Sequence, residues 1–125
     1  MVKEVYSKKA PAAIGPYSQA IQAGDFLYVS GQIPLDAETG EVVEGIENQT
    51  HKVLSHLKSI LGEADADFSK VVKFTIYLAS MEDFAVVNDI YGSYLQKPYP
   101  ARATVEVSRL PKDVRVEMDV VAYLG

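Results

Sequence analysis

The sequence predicts an α/β (α+β) domain in which two helices pack on one face of a six-stranded sheet. Six segments alternate apolar and polar residues with the period of two that is typical of strands. Two longer segments carry apolar residues at helical spacing, and the order along the chain is β-β-β-α-β-α-β-β. The 125 residues suit a single domain spanning residues 1–125. Because two helices cannot cover both faces of six strands, we expect the other face to meet solvent or another subunit.

Composition describes an ordinary globular protein and argues against several classes of function. The net charge is −5, and no basic cluster exceeds the pair Lys8–Lys9. The sequence therefore gives no support to a basic face for phosphate, and nucleic acid is an unlikely partner. It has no cysteine, which excludes disulfides, a thiol nucleophile and a thiolate metal site. No run of about 18 apolar residues predicts a membrane span, and the N-terminus lacks the apolar core of a secretory signal. We therefore expect a cytoplasmic protein.

The first half of the chain predicts three strands and one helix. The strands are Met1–Tyr6, Ser18–Gln22 and Phe26–Ser30. Gly31 follows the third strand, where a glycine either permits a simple bend or lets another group approach the backbone closely. The helix covers about 47–61, with Gly62 as its stop. His51 and His56 are about 140° apart on this helix, so we interpret them as surface or boundary residues and not as metal ligands.

The second half predicts a strand, a helix and two further strands. The strand Val71–Leu78 precedes a helix that starts after an N-cap at Ser80 and runs to about Gln96. The last two strands, Ala101–Val107 and Val114–Ala122, carry arginine and carboxylate side chains on their polar sides. Two interpretations remain open for these charged residues. One is an anion site with an acid–base group beside it. The other is a hairpin with cross-strand ion pairs, Glu106 with Arg115 and Arg102 with Asp119.

Several short motifs, in this order along the chain, closely resemble those of the RidA (YjgF) family, the reactive intermediate deaminases. The most specific are GPYSQA, VSGQIP and PARATVEVSRLPKDVRVEMD, and the resemblance runs from about Ala10 to Tyr123. It implies a fold like the Bacillus-type chorismate mutase, with a mixed sheet and two helices on one face. It also implies a homotrimer with ligand sites in the clefts between subunits. In that topology the strand Val71–Leu78 separates the two C-terminal strands, which argues against the hairpin.

The resemblance also implies an activity without a cofactor: hydrolysis of 2-imino acids, such as 2-iminobutanoate and 2-iminopropanoate, or their enamines, to 2-keto acids and ammonia. Arg102 would bind the substrate carboxylate, and Glu117 would orient water and shuttle protons. Backbone groups near Gly31 and Thr104 would hold the imine nitrogen and the carboxylate. Many relatives carry cysteine where this chain has Thr104, so a thiol is not needed there. The other site residues that the resemblance implies are Tyr17, Ser30 and Asn88.

Two alternatives to the enzyme remain at this point. A binding module that senses a 2-keto acid would also use Arg102, but only an enzyme needs Glu117. An endoribonuclease or translation inhibitor is the other alternative. The net charge of −5 and the absence of a basic patch interleaved with aromatic residues argue against it.

Overall fold

The computed structural model describes all residues from Met1 to Gly125 and contains one six-stranded sheet and two helices. The strands are β1 Val2–Val5, β2 Ala20–Ala23, β3 Phe26–Gln32, β4 Val71–Leu78, β5 Ala101–Glu106 and β6 Val116–Tyr123. The helices are α1 Ile46–Glu63 and α2 Phe84–Ser93. The strand order is β1-β2-β3-β6-β4-β5. Only β4 and β5 are parallel, so the sheet is mixed, as predicted.

Both helices pack on one face of the sheet, which we call the covered face. Its core contains Leu54, Leu57 and Phe74, which are fully buried. The ring of Tyr91 on α2 meets Phe74 on β4 edge to face, with 4.9 Å between ring centroids. Burial of a large apolar side chain stabilises a fold by about 1.5–3 kcal/mol. This face therefore supplies most of the driving force for folding, and the predicted placement of the two helices is confirmed.

The opposite face, which we call the open face, has no helix over it. It exposes large apolar side chains on three strands: Phe26 and Tyr28 on β3, Val105 on β5 and Tyr123 on β6. Tyr28 is 51% exposed although it lies in the middle of a paired strand. A sheet face that only meets water is normally lined with polar side chains. The exposed aromatic side chains of the open face are therefore typical of a surface that contacts another molecule.

The predicted order of the C-terminal strands is confirmed, and the hairpin is excluded. β4 lies between β5 and β6 and pairs with both. The proposed ion pairs are absent for this reason. Glu106 accepts a hydrogen bond from the backbone N–H of Met81 (2.8 Å), and Arg115 instead forms a salt bridge with Asp83 (2.8 Å).

The ends of the helices differ from the prediction in ways that the local hydrogen bonds explain. Gly62 does not stop α1, which continues through Glu63. The left-handed residue beyond the helix is Asp65 (φ 56°), whose N–H bonds to the Gly62 carbonyl (3.0 Å). The Ser80 hydroxyl caps a 3-10 turn, Met81–Asp83, and not α2 directly. α2 ends at Ser93 because the next N–H groups turn to carbonyls three residues back.

Two burial predictions were wrong. Strict alternation along this strand predicts Val72 on the same side as Phe74, but a register shift between Val71 and Lys73 buries Val71 and exposes Val72. His56 was interpreted as a surface or boundary residue, yet it is only 2% exposed beneath the loop that contains Leu35. Neither helix is both long and apolar enough to cross a lipid bilayer.

Candidate functional site

A β-bulge in β3 brings Gly31 against the carboxylate of Glu117. Val29 pairs with Val120 on β6, and Gln32 pairs with Met118. The two residues of β3 between these pairs, Ser30 and Gly31, therefore lie opposite one residue of β6, Asp119. A β-carbon on Gly31 would collide with a carboxylate oxygen of Glu117. Bulges of this kind redirect side chains at functional sites. Of the two interpretations left open for Gly31, the close approach is the one present, and its partner is Glu117.

Ser30 and Tyr17 lie near the contact between Gly31 and Glu117: Ser30 anchors the N-terminal segment, and Tyr17 lines a cavity. The Ser30 hydroxyl donates to the Ser18 carbonyl (2.6 Å), and its N–H donates to the Gln19 carbonyl (2.8 Å). These bonds fix the N-terminal segment to β3. Tyr17 is half-exposed and lines a cavity of about 290 Å³ whose wall includes Gly31.

Glu117 is a half-buried carboxyl group without a hydrogen-bond donor. It lies on β6 directly opposite Tyr77 of β4, on the open face. Burial raises the pKa of Glu117, and the nearby charge of Asp119 raises it further. The hydrogen bonds of the structure include none to its carboxylate. A carboxyl group in this state can exchange a proton with a water or a ligand.

Arg102 lies on β5 against α2, on the other face of the sheet. Its Nη1 donates to the Oδ1 of Asn88 (2.5 Å). Its guanidinium carbon is 5.1 Å from the ring centroid of Tyr91 and 5.5 Å from that of Phe84. Stacking on rings and one hydrogen bond hold the guanidinium plane while most of its N–H donors remain free. It opens into a cavity of about 490 Å³ lined by Asn88, Tyr91, Gly92, Tyr99, Pro100 and Arg102.

Thr104 follows two residues later on the same side of β5 and pairs with Ile76. Its hydroxyl oxygen is buried and has no hydrogen-bond partner. An unpaired buried hydroxyl costs free energy. The same half of the chain thus holds Arg102, Asn88 and Thr104 close together.

The seven predicted residues therefore form two groups that do not meet within one chain. The Glu117 group contains Tyr17, Ser30 and Gly31, and the Arg102 group contains Asn88 and Thr104. Arg102 pairs with Phe74, whose side chain is on the covered side, whereas Glu117 pairs with Tyr77 on the open side. Within one chain, therefore, Arg102 and Glu117 do not lie side by side. No three His, Asp or Glu side chains lie close enough together to hold a metal ion.

Comparison with known proteins agrees with the fold and with the motifs. The family model described as Endoribonuclease L-PSP matches residues 7–124. A RutC family protein of Pyrococcus abyssi is 54% identical over 98% of both chains. A mouse protein named 2-iminobutanoate/2-iminopropanoate deaminase is 46% identical, over 98% of this chain and 92% of its own. The crystal structure of RidA from Psychrobacter superposes with a TM-score of 0.94 at 42% identity, covering 97% of this chain and 98% of that one.

The chain is a member of the RidA family. The resemblance recognised in its motifs is thereby confirmed over nearly its whole length. The mixed sheet with two helices on one face also matches the solved RidA structure.

Sequence reasoning about this RidA-family chain missed four residues that belong to the two groups. Tyr99 lines the Arg102 cavity, and Phe84 stacks on the guanidinium. Tyr99 lies only three residues before Arg102 in the sequence, and this proximity could have indicated that it lines the same cavity. Tyr77 and Asp119 lie beside Glu117, and their hydrogen bond (2.8 Å) depends on a strand register that the sequence does not reveal.

Proposed function

We propose that the protein hydrolyses 2-imino acids, or their enamine tautomers, to 2-keto acids and ammonia. One observation carries the proposal: the chain presents a guanidinium held flat in an open cavity and, separately, an unpartnered carboxyl group of raised pKa. The first suits a ligand carboxylate and the second suits proton transfer. The mouse relative, at 46% identity, is named for this activity toward 2-iminobutanoate and 2-iminopropanoate.

Each group has a defined part in the reaction. Arg102 binds the substrate carboxylate, and Asn88 fixes the guanidinium by accepting one of its N–H bonds. Glu117 takes a proton from a water whose oxygen attacks the imine carbon, and a proton then passes to nitrogen. The proton of the new hydroxyl group then passes, by the same carboxyl group, to the nitrogen. The carbon–nitrogen bond breaks as the keto C=O bond forms, and ammonia leaves the 2-keto acid. Backbone groups at Gly31 and Thr104 hold the imine nitrogen and the carboxylate, and Tyr17 closes the pocket.

The site requires two copies of the chain. Arg102 and Glu117 lie on opposite faces and two strands apart, about 10 Å across the sheet. A substrate of a few atoms cannot touch both side chains of one copy. The exposed aromatic side chains of the open face give a second copy an apolar surface to cover. We propose a homotrimer of cyclic symmetry with three sites, each using Arg102 of one subunit and Glu117 of its neighbour.

Subunit mixing tests this arrangement directly. Glu117→Gln and Arg102→Lys are each expected to lose most of their activity. Trimers assembled from an equal mixture restore about one quarter of the sites, because one neighbouring pair in four is intact. The assay follows imine decay after a serine/threonine dehydratase, against spontaneous hydrolysis. Recovery in the mixture, but not in either variant alone, supports the shared site. No recovery in mixed trimers contradicts it, as does a single 13.7 kDa species in light scattering at micromolar concentration.

The same assay separates the enzyme from a binding module. Acceleration of imine decay at catalytic protein concentrations supports turnover. Binding of a 2-keto acid without acceleration indicates a sensor and contradicts the proposed function. The family description names an endoribonuclease. The net charge of −5 gives no support to an RNA-binding role.

A further inference from the structure

Two residues beside Glu117 form a second contact on the open face. Tyr77 lies directly opposite Glu117 across the β4–β6 pair, and Asp119 lies two residues further along β6. The Tyr77 hydroxyl does not bond to Glu117. It reaches diagonally and donates to Oδ2 of Asp119 (2.8 Å).

The geometry places two carboxyl groups side by side in different surroundings. Glu117 and Asp119 are on the same face of one strand, about 7 Å apart along it. Asp119 accepts a hydrogen bond from Tyr77, and this bond fixes the position of its carboxylate. Glu117 accepts none and is half-buried against Gly31. Burial, and then the nearby charge of Asp119, raise the pKa of Glu117.

The hydroxyl of Tyr77 remains a hydrogen-bond donor at neutral pH. Its hydrogen bond to Asp119, together with burial, raises the pKa of Tyr77 to about 12. Tyr77 consequently stays protonated through the neutral range and keeps the Asp119 carboxylate oriented. Asp119 acts on Glu117 through space, with no bond between them.

Within one subunit no cation lies beside Glu117 on the open face. In the proposed trimer, Arg102 of the neighbouring subunit shares the site with Glu117, and it is present in all the variants compared below. Arg115, two residues before Glu117, is committed to Asp83 (2.8 Å). β5 presents only Ala101, Ala103 and Val105 to the open face, and α1 packs on the covered face. The remaining ionisable side chains on the open-face side of the strands lie four or more residues away along their strands: Glu4, Tyr28, Lys73 and Tyr123.

We propose that Asp119, held by the Tyr77 hydroxyl, positions a second negative charge beside Glu117 and so sets the pH range in which Glu117 passes protons. This inference rests on the proposed function, because it concerns the acid–base group of that reaction. Neither residue touches the substrate. They are positioning residues that act through Glu117.

The experiment is a pair of substitutions with opposite expected signs. Asp119→Asn keeps an oxygen that can accept the Tyr77 bond but removes the charge, so the acid limb of the kcat/KM–pH profile moves to lower pH. Tyr77→Phe removes the donor and leaves the Asp119 charge less compensated, so the limb moves to higher pH. Glu63→Gln, an exposed residue at the end of α1, changes net charge equally and leaves the limb in place. Ionisation of the substrate affects the pH profile of this control and of the two test variants equally, so it does not account for a difference between them.

A second readout does not depend on activity. The carboxyl carbon of Glu117, followed by NMR as pH is varied, should titrate at lower pH in Asp119→Asn and at higher pH in Tyr77→Phe than in the unsubstituted protein. An unmoved titration overturns the inference, and so does a moved titration with an unmoved acid limb. If Asp119→Asn does not fold, Tyr77→Phe carries the test alone. Failure of the unsubstituted protein to accelerate imine decay contradicts the proposed function instead, while the titration still reports on Asp119.

Discussion

Arg102 and Glu117 are attached to the same sheet, yet their surroundings differ as much as their charges do. Arg102 lies against α2, with one hydrogen bond to Asn88 and two aromatic rings against its guanidinium. Glu117 projects from the open face over the bare backbone of Gly31, and nothing in the chain donates to its carboxylate. One side chain is fixed by its neighbours and the other is left without a partner.

The difference indicates what each group can contribute. A guanidinium that is already oriented loses little further conformational entropy when it binds a planar carboxylate. A carboxyl group with no internal partner, whose pKa is raised by burial, can change its protonation during a reaction. Binding and proton transfer are thus assigned to opposite faces. The following substitutions test that division.

The largest effect is expected for Glu117→Gln. Glutamine has nearly the same shape and can still hydrogen-bond water, but it cannot accept a proton as a carboxylate does. Turnover should fall by about 10²–10⁴-fold, the usual contribution of general acid–base catalysis. Calorimetry with 2-oxobutanoate should show little change in affinity, because Arg102 still holds the carboxylate. Equal losses of affinity and turnover in a folded protein would mean that Glu117 shapes the pocket and does not transfer protons.

Gly31→Ala tests the position of the same carboxylate without removing it. The new methyl group would overlap the Glu117 carboxylate, which must swing away. Because a displacement of about 1 Å can cost about 100-fold in rate, we expect a turnover loss of that order with only a small loss of stability. Gly62→Ala is the control: nothing lies within 4 Å of its added carbon, and it should stabilise the α1 helix slightly. Unchanged turnover in Gly31→Ala would show that this contact has no part in the reaction.

Arg102→Lys tests the binding half. Lysine keeps the positive charge but loses the planar fork and the stacking on Tyr91. Loss of one charge-assisted hydrogen bond, about 1.5–3 kcal/mol, corresponds to roughly a 10–150-fold fall in kcat/KM. Arg109→Lys, in an exposed salt bridge with Asp113, is the matched control and should leave kcat/KM unchanged. A folded Arg102→Lys variant with full catalytic efficiency would exclude Arg102 as the carboxylate anchor.

Much of the fold could be predicted because periodicity marks each element. Phe26 and Tyr28 alternate with Leu27 and Val29, and the structure exposes the first pair and buries the second. The order of the strands in the sheet could not be predicted from periodicity. The charged residues of the last two strands allowed a hairpin, and only the family resemblance indicated that Val71–Leu78 lies between them.

The candidate site could be predicted as a set of residues but not as an arrangement. Side chains alternate between the two faces of a strand, so the face that a residue occupies follows from its register with the neighbouring strand. A single β-bulge shifts this alternation by one residue. The register shifts at Val29–Gln32 and Val71–Lys73 are not visible in the residue pattern. The separation of Arg102 from Glu117, and the hydrogen bond between Tyr77 and Asp119, therefore became apparent only in three dimensions.

The smallest expected effect concerns His56, whose burial the sequence did not reveal. Its Nε2–H donates to the Leu35 carbonyl (2.6 Å), which leaves Nδ1 as a buried atom without a partner. Burial lowers the pKa of His56 below its usual 6.5, and the Leu35 bond opposes this shift only in part. Protonation would place a second N–H where no acceptor exists.

Below pH 6.5 the unfolded chain binds a proton at this imidazole that the folded chain resists, so the free energy of unfolding should fall as pH falls. The contribution of one such group is at most about 1.4 kcal/mol per pH unit, and it ends at the lowered pKa of the folded state. His56→Gln keeps a donor for Leu35 but cannot titrate, and His51→Gln removes an exposed imidazole instead. Urea unfolding between pH 7 and 5 should show a shallower loss of stability in His56→Gln than in His51→Gln. Equal slopes in the two variants would show that His56 takes up its proton as readily in the folded chain as in the unfolded one.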